Sequence, residues 1–161
     1  MSFTTVSTPH APAAVGPYSQ AIKTEQFVFF SGSIPVDPET KKVVDGGVEE
    51  QAKQALKNMS AVAEASGVPL TSIVKTTVCK SAALSVLSSE SDSEIAVADD
   101  FEWGGVDFEQ IVIKDMNDFG KINAVYAAHF GDHKPARSCV EVARLPLDVL
   151  FEIEAIAVVS K

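Results

Sequence analysis

The segment PARSCVEVARLP, residues 135–146, places an arginine and a cysteine two positions apart in an otherwise apolar stretch. In an extended strand alternate side chains project on the same side, so Arg137 and Cys139 share one face, opposite Ser138 and Val140. A guanidinium presents a planar fork that suits a carboxylate, through two parallel charge-assisted hydrogen bonds. Such a face is unusual for a purely structural strand, and it raises the question of which carboxylate the arginine meets.

The final apolar stretch, residues 149–159, supplies acidic groups at the same spacing. Glu152 and Glu154 fall on one face of the predicted strand. Burying two carboxylates among so many apolar residues is costly unless they find a basic partner, water or another subunit. Arg137 and Arg144 are the nearest basic candidates in the sequence, and we expect the two strands to be neighbours in the sheet.

Composition restricts the class of protein. The chain has 161 residues, 46% of them hydrophobic and 22% charged, which is typical of one globular domain with its own core. No apolar stretch is long enough for a membrane span. The formal charge of −9 argues against a nucleic-acid partner, because nonspecific affinity for phosphate backbones comes from clustered lysine and arginine. We therefore expect neither nucleic acid nor membrane as a partner.

The N-terminal residues predict the compartment. Residues 1–20 lack a basic segment followed by an apolar one, and they contain no arginine, so neither a secretory signal nor a typical transit peptide is indicated. We expect a cytoplasmic protein, with a mitochondrial location left open. In that setting Cys79 and Cys139 are expected to be free thiols rather than a disulfide.

Local patterns predict the elements that position these residues. Apolar residues at helical spacing indicate a first helix over about 47–65 and a second over 118–130, with Asn117 as N-cap and Gly131 as the stop. Turn residues and β-branched runs predict the strands: 27–30, a returning strand at 41–44, 70–78, 137–143 and 149–159. The order β-β-α-β-α-β-β indicates an α+β fold, a sheet with both helices on one face and some parallel pairing through the helical crossovers.

Several separate motifs carry a family resemblance. They are GPYSQAI (16–22), FFSGSIPVDPET (29–40), VKTTV (74–78), IKDMNDFGKINAVYAAHF (113–130), and PARSCVEVARLP with EIEAIAV (135–158). In this order they resemble the reactive intermediate/imine deaminase A (RidA, YjgF-like) family, over nearly the whole chain except residues 79–112. The resemblance implies a chorismate-mutase-like (YjgF-like) mixed sheet and a homotrimer with sites at the subunit interfaces. It also implies cofactor-free hydrolysis of enamine/imine intermediates, such as 2-aminoacrylate, to 2-keto acids and ammonia.

The resemblance also implies residue roles. Arg137 matches the arginine that holds the substrate carboxylate; its alternative is a salt bridge to Glu141 or Glu154. Glu152 matches the glutamate that orients or activates the attacking water, and a buried ion pair with an arginine is weighed evenly against it. Cys139 matches a position where the backbone meets the substrate, and we prefer that role to a catalytic thiolate because no Cys-His pairing is visible.

Four further positions match residues that line the family site. Tyr18 corresponds to a tyrosine that reaches the pocket across the subunit interface, with ordinary loop packing as its alternative. Ser31 and Gly32 match a site-lining Ser-Gly, with a plain β-turn as the alternative. Asn123 matches an asparagine that bonds the loop near the arginine, and a polar residue within an apolar stripe needs a partner in either interpretation.

No metal or cofactor is expected. His129 and His133 stand four residues apart, but Gly131 ends the helix between them and no third ligand fits a zinc pattern. A non-catalytic regulator or stress chaperone that binds a small carboxylate in the same pocket is the main alternative function. Ribonuclease activity ranks third, because the acidic surface opposes the approach of RNA.

Residues 79–112 depart from the family pattern. The family has a short connection between the VKTTV and KDMNDF motifs, whereas 35 residues separate Val78 from Lys114 here. Residues 80–113 contain eight acidic residues and one lysine, so −7 of the total −9 belongs to this segment. It is an atypical acidic insertion within a single domain spanning 1–161: a solvated Ser-rich loop, a lid or partner arm, or a translated intron.

Overall fold

The computed structural model describes residues 2–81 and 118–160. This part of the chain forms six strands and two α-helices, with one 3-10 turn at Leu70–Ser72 and another at Pro146–Asp148. The elements, in chain order, are β1 (Thr4–Val6), β2 (Ala21–Lys23), β3 (Phe27–Ser33), α1 (Val48–Ala65), β4 (Ile73–Ser81), α2 (Phe119–Phe130), β5 (Ala136–Val142) and β6 (Phe151–Val158). The predicted α+β class and both predicted helices are confirmed.

The strands form one mixed sheet in the order β1-β2-β3-β6-β4-β5. All neighbouring pairs are antiparallel except β4 and β5, which run parallel because α2 carries the chain back between them. The expectation that β5 and β6 are neighbours is wrong. The crossover through α2 sets β5 against one side of β4, and β6 pairs with the other side, so β4 separates them and β5 is an edge strand of the sheet formed by the described residues.

Both helices pack on one face of the sheet. The apolar stripe of α1 includes Leu56 and Met59, which are fully buried against Val28, Phe151 and their neighbours in the sheet. Full burial of one such side chain contributes roughly 1.5–3 kcal/mol. We call this the helix-covered face and the opposite side the open face, which carries Phe29, Thr77, Cys79, Glu152, Glu154 and Ile156. Neither described helix is long and apolar enough to span a bilayer.

The N-terminal half differs most from the sequence-based expectation. Residues 41–44 do not form a returning strand: Val36 and Val43 make a single isolated bridge. Lys41 adopts a left-handed φ of 59°, and its N–H bonds the carbonyl of Asp37, which closes a turn. Pairing across this turn is limited to two backbone bonds, from the N–H of Asp37 to the carbonyl of Lys42 and from the N–H of Val44 to that of Pro35. The short strands β1 and β2 were not predicted.

The bounds of β4 and the start of α2 also differ from the prediction. Leu70–Ser72 forms a 3-10 turn, so β4 begins at Ile73 and continues through Ser81. Asp118 is the N-cap of α2, and the predicted cap Asn117 lies outside the described residues. Gly131 ends α2 with a φ of 59°, as predicted. The rest of the acidic insertion, from residue 82 onward, also lies outside the described residues.

Candidate active site

A bulge in β3 places Ser31 and Gly32 where the strand leaves its regular register with β6. The pairing of β3 with β6 shifts between Phe30 and Ser33, so the regular inter-strand hydrogen bonding is interrupted at Ser31 and Gly32. Ser31 is fixed instead by the loop before β2: its N–H bonds the carbonyl of Gln20 at 3.1 Å, and its hydroxyl donates to the carbonyl of Ser19 at 2.6 Å. The predicted site-lining serine is therefore rigidly tied to the GPYSQ motif.

Gln20 holds the N-terminal loop in place, a role that the sequence reasoning missed. Its side chain is buried; Nε2 donates to the carbonyls of Thr8, Ala11 and Pro12, and Oε1 accepts the N–H of Thr8 at 2.7 Å. One amide thus satisfies four backbone groups of a proline-rich loop that lacks a ladder of its own. The only signal in the sequence was a glutamine placed directly between that loop and the apolar Ala21.

The loop and the bulge enclose a cavity of about 450 Å³. Tyr18, Ser31 and Gly32 all line it, so the structure brings three of the predicted site residues together. Tyr18 remains 52% exposed at its mouth, where a ring is available to a ligand or to another subunit. The remaining walls are mainly apolar and include Ala11, Pro12, Val15, Ile34, Val36, Val62 and Leu147.

Glu152 lies on the open face directly beside the bulge. A Cβ at position 32 would overlap the Glu152 carboxylate, so only glycine leaves room for that carboxylate against the β3 backbone. Burial, and secondarily the charge of Glu154, raise the pKa of Glu152 above its usual value. Gly32 therefore connects the cavity wall, which it shares with Tyr18 and Ser31, to the Glu152 carboxylate, which is not itself a lining residue. We call these four residues the carboxylate half-site.

Cys79 lies opposite Glu152 in the sheet and shares the open face with it. Burial raises the pKa of the Cys79 thiol, and the charges of Glu152 and Glu154 raise it further. A thiol in that setting remains protonated and unreactive at neutral pH. Cys79 and Cys139 are both free, as predicted.

Arg137 lies on the helix-covered face of the edge strand β5. Its guanidinium carbon is 4.8 Å from the ring centroid of Tyr126 and 5.6 Å from that of Phe119, both on α2. Within residues 2–81 and 118–160 it makes no salt bridge, and Glu154 lies on the opposite face. The proposed ion pair between Arg137 and Glu154 is therefore wrong within one chain.

Cys139 follows Arg137 on the same face and packs against the edge of the core. Burial raises the pKa of its thiol, while the charges of Arg137 and Lys80 partly oppose that rise. The raised pKa favours a packing or backbone role for Cys139 over a nucleophilic thiolate. We call Arg137 and Cys139 the arginine half-site.

The two half-sites do not meet in one chain. Arg137 and Glu152 lie on opposite faces of the sheet, on strands separated by β4. Arg144, the other basic candidate for Glu152, is exposed and binds Asp148 through Nε and Nη2 at 2.5 and 2.9 Å. Neither arginine therefore neutralises Glu152 within the described chain.

Asn123 and His129 on α2, with His133 just after the helix, complete the predicted positions. The side-chain oxygen of Asn123 is buried and has no partner among the described residues. His129 Nε2 lies 3.0 Å from the Ser60 hydroxyl, and His133 Nε2 lies 2.6 Å from the carbonyl of Ile73. The histidines therefore connect α2 to α1 and β4. In the described ranges no three His, Cys, Asp or Glu side chains are grouped to hold a metal ion.

Comparison with known proteins assigns the chain to a family. The family model described as Endoribonuclease L-PSP matches residues 8–81 and 94–159, which is most of the sequence. The chain belongs to this family, which includes the RidA/YjgF proteins. The unmatched residues 82–93 lie inside the acidic insertion.

Individual relatives cover almost the full length. A 2-iminobutanoate/2-iminopropanoate deaminase of Salmonella typhimurium is 43% identical over 157 residues, 96% of each chain. The mouse protein of the same name is 38% identical over 95% of this chain and 89% of its own. The solved structure of Escherichia coli TdcF with bound serine has a TM-score of 0.74 and 37% identity, covering 98% of this chain and 99% of that one.

Proposed function

We propose that this chain hydrolyses enamine/imine intermediates of the 2-iminopropanoate type to 2-keto acids and ammonia. The observation that carries the proposal is the pair of half-sites: an arginine without a carboxylate partner in the described chain, and a half-buried glutamate beside a cavity. Full-length relatives named 2-iminobutanoate/2-iminopropanoate deaminase support the same reaction. The alternative of a non-catalytic carboxylate binder uses Arg137 but gives Glu152 no role.

The reaction needs positioning rather than a cofactor. The carbon of a C=N bond is already electrophilic, so the site must hold the carboxylate, place one water and protonate the leaving nitrogen. Arg137 binds the carboxylate in a bidentate manner, and Glu152 accepts a proton from the attacking water. The proton that Glu152 takes from the water passes to the imine nitrogen, which gives a neutral carbinolamine. Glu152 then takes the carbinolamine hydroxyl proton and delivers it to the nitrogen as the C–N bond breaks, which releases ammonia and leaves the 2-keto acid and the unprotonated glutamate.

The raised pKa of Glu152 suits both proton transfers. A carboxylate with its ordinary pKa is a weak base at neutral pH, and raising the pKa strengthens it as a proton acceptor. Burial beside Gly32 and the charge of Glu154 act in that direction. Tyr18 and Ser31 line the cavity whose wall includes Gly32, the residue against this carboxylate, and we place the substrate between that wall and the arginine of a neighbouring subunit.

We propose that the site forms between subunits of a homotrimer. One substrate cannot touch Arg137 and Glu152 of the same chain, because they lie on opposite faces of the sheet. Arg137 lies on the edge strand, and Phe27, Phe29, Val74 and Val158 are large apolar residues exposed on or near the open face. An edge strand of one subunit set beside the open face of the next would join the two half-sites, and a ring of such contacts closes naturally.

A complementation experiment tests both the chemistry and the shared site. Keto-acid release is measured from freshly generated 2-aminoacrylate with Arg137→Ala, with Glu152→Gln, and with the two variants refolded together. Each variant alone should be inactive. If every site takes its arginine and glutamate from different chains, about one quarter of the interfaces in randomly mixed trimers recover both groups.

The outcomes separate the competing interpretations. No recovery on mixing, with active wild-type protein, would place both groups in one chain. No wild-type rate above buffer, with 2-keto acid still bound, would favour the carboxylate-binding regulator. RNA cleavage, which the family description names, is opposed by the formal charge of −9. A small imine carboxylate as ligand, the absence of a nucleic-acid partner and a cytoplasmic location remain predictions.

A further inference from the structure

The guanidinium of Arg137 is positioned by aromatic rings rather than by a carboxylate. The nearer ring is that of Tyr126, whose centroid lies 4.8 Å from the guanidinium carbon. A ring face attracts a cation without using any of its N–H donors, and it does not neutralise the charge. The arginine is thereby held in place, and no carboxylate of residues 2–81 or 118–160 pairs with its donors, which are available for an incoming carboxylate.

The Tyr126 ring is itself fixed by a buried hydrogen bond. Its hydroxyl lies 2.8 Å from Oγ1 of Thr76, which is fully buried on β4. Thr76 is the register partner of Arg137 across the parallel β4–β5 pair, so the bond spans the strand next to the arginine. A tyrosine held at both ends cannot rotate away from the guanidinium without leaving two buried hydroxyls unpaired.

We propose that Tyr126 and Thr76 are positioning residues that set the orientation of Arg137 for the substrate carboxylate. This inference rests on the proposed function, because it assigns the clamp to the same arginine. The contacts join three elements, α2, β4 and β5, at the edge of the sheet. Neither Tyr126 nor Thr76 touches the substrate; both act through Arg137.

A set of variants separates the ring from its hydroxyl. Tyr126→Leu removes the ring face, and we expect KM for 2-aminoacrylate to rise about tenfold while kcat changes less than about twofold. Tyr126→Phe keeps the ring and loses only the bond to Thr76, so the expected rise in KM is about threefold. Thr76→Val should give the same rise.

The double variant tests whether Thr76 acts through Tyr126. If both hydroxyls act through one bond, Thr76→Val combined with Tyr126→Phe should raise KM no more than either change alone. If the rise in KM of the double variant equals the product of the two single-variant rises, Thr76 does not act through Tyr126. Ile122→Val is the matched control: Ile122 is buried on the same helix, so the change should lower thermal stability and leave KM as in the wild type.

Direct binding distinguishes this inference from the proposed function. Calorimetry with pyruvate, a 2-keto acid, measures the carboxylate contact without turnover. Weaker pyruvate binding by Tyr126→Leu, in a protein that releases no keto acid, would support the clamp and reject the deaminase. Unchanged pyruvate binding by Tyr126→Leu, or a fall in kcat at constant KM, would overturn the clamp, and so would wild-type protein that binds no pyruvate.

Discussion

On the helix-covered face of the sheet, several polar side chains find partners inside the chain, although the buried side-chain oxygen of Asn123 has none among the described residues. Tyr126 bonds Thr76, His129 bonds Ser60, and the buried Lys80 lies 3.9 Å from Asp118. On the open face, Lys75 Nζ donates to the Ser138 hydroxyl, whereas Glu152 lies beside Cys79, Glu154 and the bulged backbone at Gly32 and makes no salt bridge within the described residues.

The difference shows how one sheet carries two kinds of half-site. Arg137 is held through side chains, by rings that leave its donors available. Glu152 is held through backbone geometry, by a glycine that leaves it space. A conservative replacement in the aromatic clamp changes the contact gradually, whereas a single methyl group at Gly32 would force the Glu152 carboxylate to move. We therefore expect substitutions in the two half-sites to affect activity in different ways.

The largest effect is expected from removing the guanidinium. Arg137→Ala should lower kcat/KM about 1,000-fold, because truncating one partner of a hydrogen-bonded charge pair costs roughly 2–5 kcal/mol. Arg137→Lys keeps the charge and loses the fork, so it should fall between the wild type and the alanine variant. Steady-state kinetics with 2-aminoacrylate measure both. Equal activity of the lysine variant and the wild type would show that charge alone suffices.

On the open face, the next largest loss of activity is expected from a steric change at Gly32. Gly32→Ala places a Cβ where the Glu152 carboxylate lies, and displacing that group by about 1 Å should lower kcat about 100-fold. Gly120→Ala is the matched control, since a Cβ there meets nothing within 4 Å and alanine favours a helix. Comparable kcat values for the two alanine variants would contradict the carboxylate half-site.

The sequence predicted the parts of this fold that depend on local periodicity. The apolar stripes of α1 and α2 and the β-branched run of β4 act within a few residues. Both helices were found where their patterns placed them, and β4 is shifted by three residues from its predicted bounds. The strands β1 and β2 are only three residues long and are defined by pairing with distant partners. A pattern that short has no detectable period.

Local sequence patterns could not predict the order of the strands in the sheet or the division of the site between its two faces. Alternation correctly placed Arg137 with Cys139, but it could not tell which side of β4 would receive β6. The wrong adjacency of β5 and β6 then suggested a false ion pair. The family motifs named Tyr18, Ser31, Gly32 and Glu152, whereas the hydrogen bonds of Gln20 that shape their cavity emerge only from the folded loop.

A smaller effect concerns the acid side of the pH profile. Glu154 raises the pKa of Glu152, so Glu154→Gln should lower that pKa and keep the general base unprotonated to lower pH. The acid limb of kcat against pH should move to lower pH, with little change on the plateau. Thr77→Ser, at the position paired with Glu154, is the control that leaves charge unaltered. An acid limb at the wild-type pH would show that burial alone sets the pKa.

The smallest effect is expected on the helix-covered face, at His129. Burial lowers the pKa of His129 from its ordinary 6.5, so below pH 6.5 the unfolded chain binds a proton that the folded chain resists. Stability from this group is complete above pH 6.5 and is lost as the pH falls toward the folded-state pKa. His129→Gln should destabilise the protein at pH 8, and that deficit should shrink at pH 5. Urea unfolding at both values measures it, with the exposed His10→Gln as control. A deficit that stays constant with pH would mean that His129 contributes only its hydrogen bond to Ser60, and the helix-covered face would then hold no pH-sensitive group at this position.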